Sequence, residues 1–186
     1  TLAASAGSGQ TICAGSGVAI GGSLTASGGS GSGYTYAWSP PTGLDNAALA
    51  NPTASPSITT LYTVTVTDSV GCTAQSQVTV TVNPLPTTSA ITGSTTVNAN
   101  QADVHYSVGL TSGSSYGWTV PTGATITSGG SSPNNNEIIV TFGTASGNVA
   151  VTETNTAGCV GSTVSLAVDV QNPLAAVTIS NIVGTT

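Results

Sequence analysis

Few residues in this chain can carry chemistry: one histidine, six carboxylates and three cysteines, with no lysine or arginine among 186 residues. His105 lies in the run Val104-His105-Tyr106-Ser107-Val108, whose alternation puts the imidazole on the face opposite Val104, Tyr106 and Val108. A general base needs an orienting acid and a nucleophile, and the sequence places neither beside it. His105 is therefore expected to be a solvent-facing strand residue. Cationic side chains for an oxyanion or a phosphate are missing, no carboxylates are paired closely in sequence, and no phosphate-loop motif occurs. No catalytic residue is assigned and no enzyme is expected.

Composition excludes several partners. Charged residues make up 3% of the chain, against about 25% in an ordinary soluble domain, and the formal charge is −6. Phosphate backbones and anionic lipid surfaces are recognised through cationic side chains, so neither nucleic acid nor a membrane surface is expected as a partner. No apolar run approaches the roughly 18 residues of a membrane span, so no direct insertion is expected. Thr1 opens no leader-like segment, and the chain reads as a mature product or, preferably, a fragment. The reason is that residues 174–186 resemble residues 85–97, as the first strand of a third domain would.

The elements that position these residues follow from a repeat. The pattern Y-x-W-x-x-P-T-G occurs at residues 36–43 and again at residues 116–123, with Trp38 and Trp118 80 residues apart. In each copy a β-rich stretch follows, ending at Val66-Thr67-Asp68 and at Val151-Thr152-Glu153, then Gly71-Cys72 and Gly158-Cys159, then Asn83-Pro84-Leu85 and Asn172-Pro173-Leu174. A period of this length means whole domains rather than solenoid repeats. Residues 61–67 read L-Y-T-V-T-V-T and residues 77–82 read Q-V-T-V-T-V, which is the alternation of half-buried antiparallel strands. Residues 137–142, 148–153 and 163–170 play the same parts in the second copy. Gly and Ser clusters interrupt the strands where turns are needed. Roughly seven short strands per copy, an early-middle Trp and no helical period predict two tandem immunoglobulin-like β-sandwiches, an all-β fold. The expected bounds are 1–83 and 84–172, with 173–186 a linker and the first strand of a following domain, or a donated strand.

Several residue groups carry a more specific likeness. Tyr36-Ala37-Trp38-Ser39-Pro40, Gly43-Leu44, Asn51-Pro52, the run from Thr59 to Asp68 and Gly71-Cys72-Thr73 resemble the PKD-like, Ig-like repeats of large secreted surface proteins of the Bacteroidetes, including gliding-motility-type adhesins. The second copy resembles a sister repeat through Trp118-Thr119-Val120-Pro121-Thr122-Gly123-Ala124 and the run from Gly147 to Asn155. The resemblance implies an extracellular, cell-surface protein whose repeats act as spacers. Asp68-Ser69-Val70 also resembles the D-[S/T]-hydrophobic O-glycosylation acceptor of exported proteins in that lineage, which makes Ser69 a candidate glycosylation site. The competing reading is an Asp that caps the turn through its own backbone, and the two are compatible.

Placed on a sandwich, the remaining candidates acquire expectations. Cys13 on the first strand and Cys72 after the turn into the last strand are assigned to the pole where the domain begins, and are expected to form a structural disulfide in an oxidising compartment. A redox or metal pair would need neighbouring His or further Cys. Aligning Thr11-Ile12-Cys13 with Thr96-Val97-Asn98 leaves Cys159 without that partner, so it is expected to be a thiol unless it pairs between molecules. Asp103, Asp169 and Asn172 fall at one pole of the second domain and are the calcium candidates. Calcium takes roughly six to eight oxygens, so two aspartates make a thin set, and separate solubilising carboxylates are the favoured reading; no cofactor is assigned. Trp38 and Trp118 are expected as core pillars rather than sugar platforms, and Tyr62 resembles a tyrosine corner. Gly147 is the residue aligned with it in the second copy.

The functional expectation is a non-enzymatic repeat segment of an extracellular adhesin or fibre, acting as a spacer or stalk. Its partners are then neighbouring domains of the same chain or identical subunits, and the distal ligand is not named by the sequence. The alternative is a filament subunit assembled by strand addition through residues 174–186. A carbohydrate-binding module is less well supported, because aromatic residues make up only 4% of the chain.

Overall fold

In the computed structural model, residues 1–130 and 134–172 are described, and the chain divides into two compact units, Thr1–Leu85 and Pro86–Thr186. Residues 173–186, expected as a linker and the first strand of a following domain or a donated strand, lie outside the described residues. Every regular element among the described residues is a β-strand.

The first unit contains β1 (Ala3–Ala4), β2 (Gln10–Cys13), β3 (Val18–Ala19), β4 (Ala26–Ser27), β5 (Thr35–Ser39), β6 (Thr53–Ala54), β7 (Thr60–Thr67) and β8 (Thr73–Asn83). Its main sheet runs β2-β8-β7-β5, and two short pairs, β1-β4 and β3-β6, complete the unit. The alternation in β7 decides which residues form the core. Tyr62, Val64 and Val66 are fully buried while Thr63, Thr65 and Thr67 point outward. Trp38 of β5 pairs with Val64 and is buried with them, and Ile12, Ile20, Ala54, Val78 and Val80 close the cluster. Each such apolar side chain contributes about 1.5–3 kcal/mol when taken from water.

The second unit contains β9 (Thr92–Gly93), β10 (Thr96–Asn98), β11 (Val104–Ser107), β12 (Ser115–Thr119), β13 (Thr125–Gly129), β14 (Glu137–Thr141), β15 (Gly147–Thr154) and β16 (Val164–Gln171). They form two four-stranded sheets, β10-β16-β15-β12 and β13-β14-β11-β9. The core between them includes Val97, Tyr106, Trp118, Val140, Phe142, Val149, Val151 and Val168. His105 is exposed between buried Val104 and Tyr106, as the alternation predicts.

The repeated P-T-G has a local cause. Leu44 N–H donates to Pro41 C=O at 3.1 Å, and Ala124 N–H to Pro121 C=O at 3.0 Å. Gly43 (φ 79) and Gly123 (φ 82) occupy the third position of each turn, which requires a positive φ. At Gly43 a side chain would also meet the Tyr62 hydroxyl and Pro56.

One feature was not expected from the sequence. β2 pairs with β8 in parallel, with Gln10 to Cys13 beside Val80 to Asn83, and β10 pairs with β16 in parallel, with Thr96 to Asn98 beside Asp169 to Gln171. A short strand near the start of each unit, β2 or β10, therefore runs the same way as its last strand. Each unit takes the chain in at one pole and releases it at the other.

Candidate functional site

The parallel pairs are closed by a shared device. Cys13 C=O accepts from Ser16 N–H at 3.0 Å, a turn with Gly15 (φ 84) in third position, and the intervening Ala14 N–H donates to Asn83 C=O at 2.9 Å. In the second unit Asn98 C=O accepts from Gln101 N–H at 3.1 Å, Asn100 has φ 60, and Ala99 N–H donates to Gln171 C=O at 3.0 Å. Gly and Asn are the residues that tolerate this backbone conformation. Both units thus tie the strand after entry to the strand before exit with the same geometry.

At the opposite pole of each main sheet the turn between the last two strands repeats as well. Asp68 N–H donates to Cys72 C=O at 3.0 Å, and Asp68 Oδ1 accepts from Val70 N–H at 3.1 Å and Cys72 N–H at 2.9 Å. Asn155 N–H donates to Cys159 C=O at 3.0 Å, and Asn155 Oδ1 accepts from Ala157 N–H and Cys159 N–H, both at 3.0 Å. The equivalent of Asp68 is therefore Asn155, not Glu153. The strand register agrees, since Trp38 pairs with Val64 and Trp118 with Val151. The V-T-D and V-T-E stretches are offset by two residues, and Glu153 corresponds to Val66. By the same offset Tyr62 corresponds to Val149 rather than to Gly147.

Asp68 has a second task. Its Oδ2 accepts from Ser30 N–H at 3.0 Å, and Ser69 Oγ donates to Ser30 Oγ at 2.9 Å, so the turn is tied to the loop between β4 and β5. Burial pushes the Asp68 carboxyl up, but bonds from Cys72, Ser30, Val70 and Gly71 outweigh it and hold the carboxyl below its ordinary value. Ser69 is exposed at this turn beside Val70, also exposed.

The expected Cys13–Cys72 bridge does not form. Cys72 is a free, exposed thiol, whereas Cys13 and Cys159 are disulfide-bonded, so the expectation of Cys159 as a thiol is also corrected. The parallel register gives the reason. Cys13 sits beside Asn83 at the end of β8, and Cys72 precedes Thr73 at its start. At ~3.3 Å per residue the two lie on the order of 35 Å apart along the strand, whereas bridged Cα atoms are within about 7 Å. Placing both at one pole assumed the wrong strand direction.

The calcium candidates are dispersed in their bonding. Asp169 Oδ1 accepts from Ser146 Oγ at 2.9 Å and Oδ2 from Gln171 Nε2 at 2.5 Å, and Asn172 Nδ2 donates to Thr144 C=O at 3.3 Å. Asp103 is exposed, with φ 56. Among the described residues no group of three or more His, Cys, Asp and Glu could hold a metal ion.

The aromatic candidates are structural. Trp38 and Trp118 are buried, and Trp38 Nε1 donates to Leu49 C=O at 2.9 Å. The Tyr62 hydroxyl donates to Thr42 C=O at 2.8 Å, a backbone group 20 residues upstream; a tyrosine corner bonds back only a few residues along the chain, so the expected corner is replaced by a bond to the P-T-G turn. Burial raises the Tyr62 pKa. What sequence reasoning missed is Glu153, buried at 1% exposure. The signal was its position within the alternating run from Val149 to Glu153, where the odd residues face the core.

This geometry defines two tandem Ig-like β-sandwich domains. Residues 84–168 match the family model of the PKD-like domain, and no curated protein matches the chain. Among solved structures, the N-terminal eight Ig domains of Down Syndrome Cell Adhesion Molecule isoform 1.30.30 align at 16% identity and TM-score 0.55, over 92% of this chain and 24% of that one. Murine CEACAM1b aligns at 15% identity and TM-score 0.37, over 87% of this chain and 96% of that one. The D00-D0 domain of Intimin gives 15% and 0.37, over 91% and 100%. The chain spans about a quarter of the first of these. That likeness is one of fold, and nothing rests on the other two.

Proposed function

We propose that the chain is a non-enzymatic spacer segment of an extracellular surface adhesin or fibre. The observation that carries this reading is the parallel pairing of β2 with β8 and of β10 with β16. A module whose entry and exit lie at opposite poles adds length in series. When its ends are pulled apart, the hydrogen bonds between parallel terminal strands are loaded together, in shear, rather than opened one at a time. Short connections such as Asn83-Pro84-Leu85-Pro86 suit a series of this kind, because proline restricts the backbone.

Further support comes from composition and chemistry. Disulfide-bonded cysteines fit an oxidising, extracellular compartment. The absence of Lys and Arg gives trypsin-like proteases nothing to cut. The resemblance to repeats of Bacteroidetes surface proteins points the same way, and under this reading exposed Ser69 is a glycosylation acceptor within that lineage's export route. The partners are neighbouring domains of the same protein, and the ligand of the parent protein lies elsewhere. Light scattering of the intact chain tests the spacer against the filament subunit. A monomer over a wide concentration range is expected, and concentration-dependent polymers that vanish on deletion of residues 174–186 would favour the filament.

A further inference from the structure

Glu153 has no internal counter-charge. It lies on β15 opposite Tyr116 of β12 and is 1% exposed. Its Oε2 accepts from Thr88 Oγ1 at 3.1 Å, while Oε1 is buried and has no hydrogen-bond partner. Ser114, also 1% exposed, immediately precedes β12, and its Oγ is the other buried oxygen without a partner among the described residues. Ser115 pairs with Thr154, so the same register puts Ser114 diagonally across from Glu153, at the same end of the interior.

The first unit shows that the fold does not need a carboxylate here. Val66 holds the equivalent position opposite Tyr36 and is fully buried. Putting an acid where a valine serves costs several kcal/mol if its charge is left uncompensated. The usual compensation is a Lys or Arg, and the chain has neither. Its one histidine, His105, is exposed on the other sheet. Asp169, on the neighbouring β16, lies toward the far end of the antiparallel pair β15 and β16 and adds no oxygen here.

We propose that the second unit binds a small hard cation, sodium or calcium, through Glu153 Oε1 and Ser114 Oγ. All the donors are oxygens, which suits hard cations. Thr88 fixes the carboxylate by bonding its other oxygen, leaving Oε1 to face the ion. A single carboxylate balances the charge of sodium, whereas calcium would carry a residual positive charge into the interior, so sodium is the favoured occupant. Such an ion would lock the pole of the second unit by joining β12, β15 and the segment containing Thr88. The first unit would have no equivalent lock.

The test is thermal unfolding of the full chain, freed of metals by chelator, in choline chloride, sodium chloride and calcium chloride at matched ionic strength. The midpoint is expected to rise saturably in sodium or calcium relative to choline, and the stronger responder identifies the ion. Glu153→Gln keeps the shape of the side chain and should abolish the response, and Ser114→Ala should weaken it. Equal wild-type midpoints in the three salts would overturn the proposal, as would a full response retained by Glu153→Gln. The wild-type comparison decides the matter even if a variant fails to fold.

Discussion

Asp68 and Asn155 hold the same turn, one with a charge and one without. In both, a single Oδ1 takes the N–H groups of the second and fourth residues after it. The charge is therefore not what makes the turn. Asp68 uses its second oxygen on Ser30, and there the charge strengthens the bond. Asp68→Asn should keep the turn, since Asn155 does so, but put an amide N–H against the Ser30 N–H and loosen the loop between β4 and β5. The pH dependence has a definite sign. The Asp68 carboxyl is held below its ordinary value of 3.8 in the folded state, so its stabilisation is complete above that value and is lost as pH falls through the lower folded one. Denaturant unfolding from pH 6 down to about pH 2.5 should show the wild type losing stability more steeply than Asp68→Asn; parallel curves would contradict this.

At the scale of the element, strand β9 depends on a residue with no side chain. Gly93 pairs with Tyr106, and a Cβ there would clash with the Tyr106 ring. The ring is buried, rests near Phe142 with centroids 6.1 Å apart, and donates its hydroxyl to Ser94 C=O at 2.8 Å. Gly93→Val must displace it, and overpacking of this kind costs about 1–3 kcal/mol. A lower thermal midpoint is expected, and an unchanged one would mean the ring moves freely. This element also marks where sequence reading stops. The long strands β7, β8, β15 and β16 were legible because apolar residues, mostly Val, recur at every second position in them, and the P-T-G turns because Gly must supply a positive φ. Pairing direction was not legible, because β2 and β10 are only four and three residues long and carry no mark of their partner's direction. The error over Cys13 and Cys72 follows from that. The two-residue offset between Asp68 and Glu153 misled for a related reason, since Val-Thr-acid recurs by chance in Thr-rich strands.

At the scale of the whole molecule, a spacer carries tension through its parallel terminal pairs, and a proline can probe one hydrogen bond in each. Ala14 and Ala99 occupy the second position of their turns, where proline is favoured, yet each donates its N–H to the last strand. Ala14→Pro removes the bond to Asn83 and Ala99→Pro the bond to Gln171, each worth about 0.5–1.5 kcal/mol. Single-molecule pulling from the chain ends, in reductant so that no disulfide bears load, measures this directly. The intact chain should unfold in two discrete events, each releasing roughly 240 Å at ~3.6 Å per residue. Ala14→Pro should lower the force of one event and Ala99→Pro that of the other. Forces unchanged in both variants would show that the load is borne elsewhere and would contradict the spacer reading.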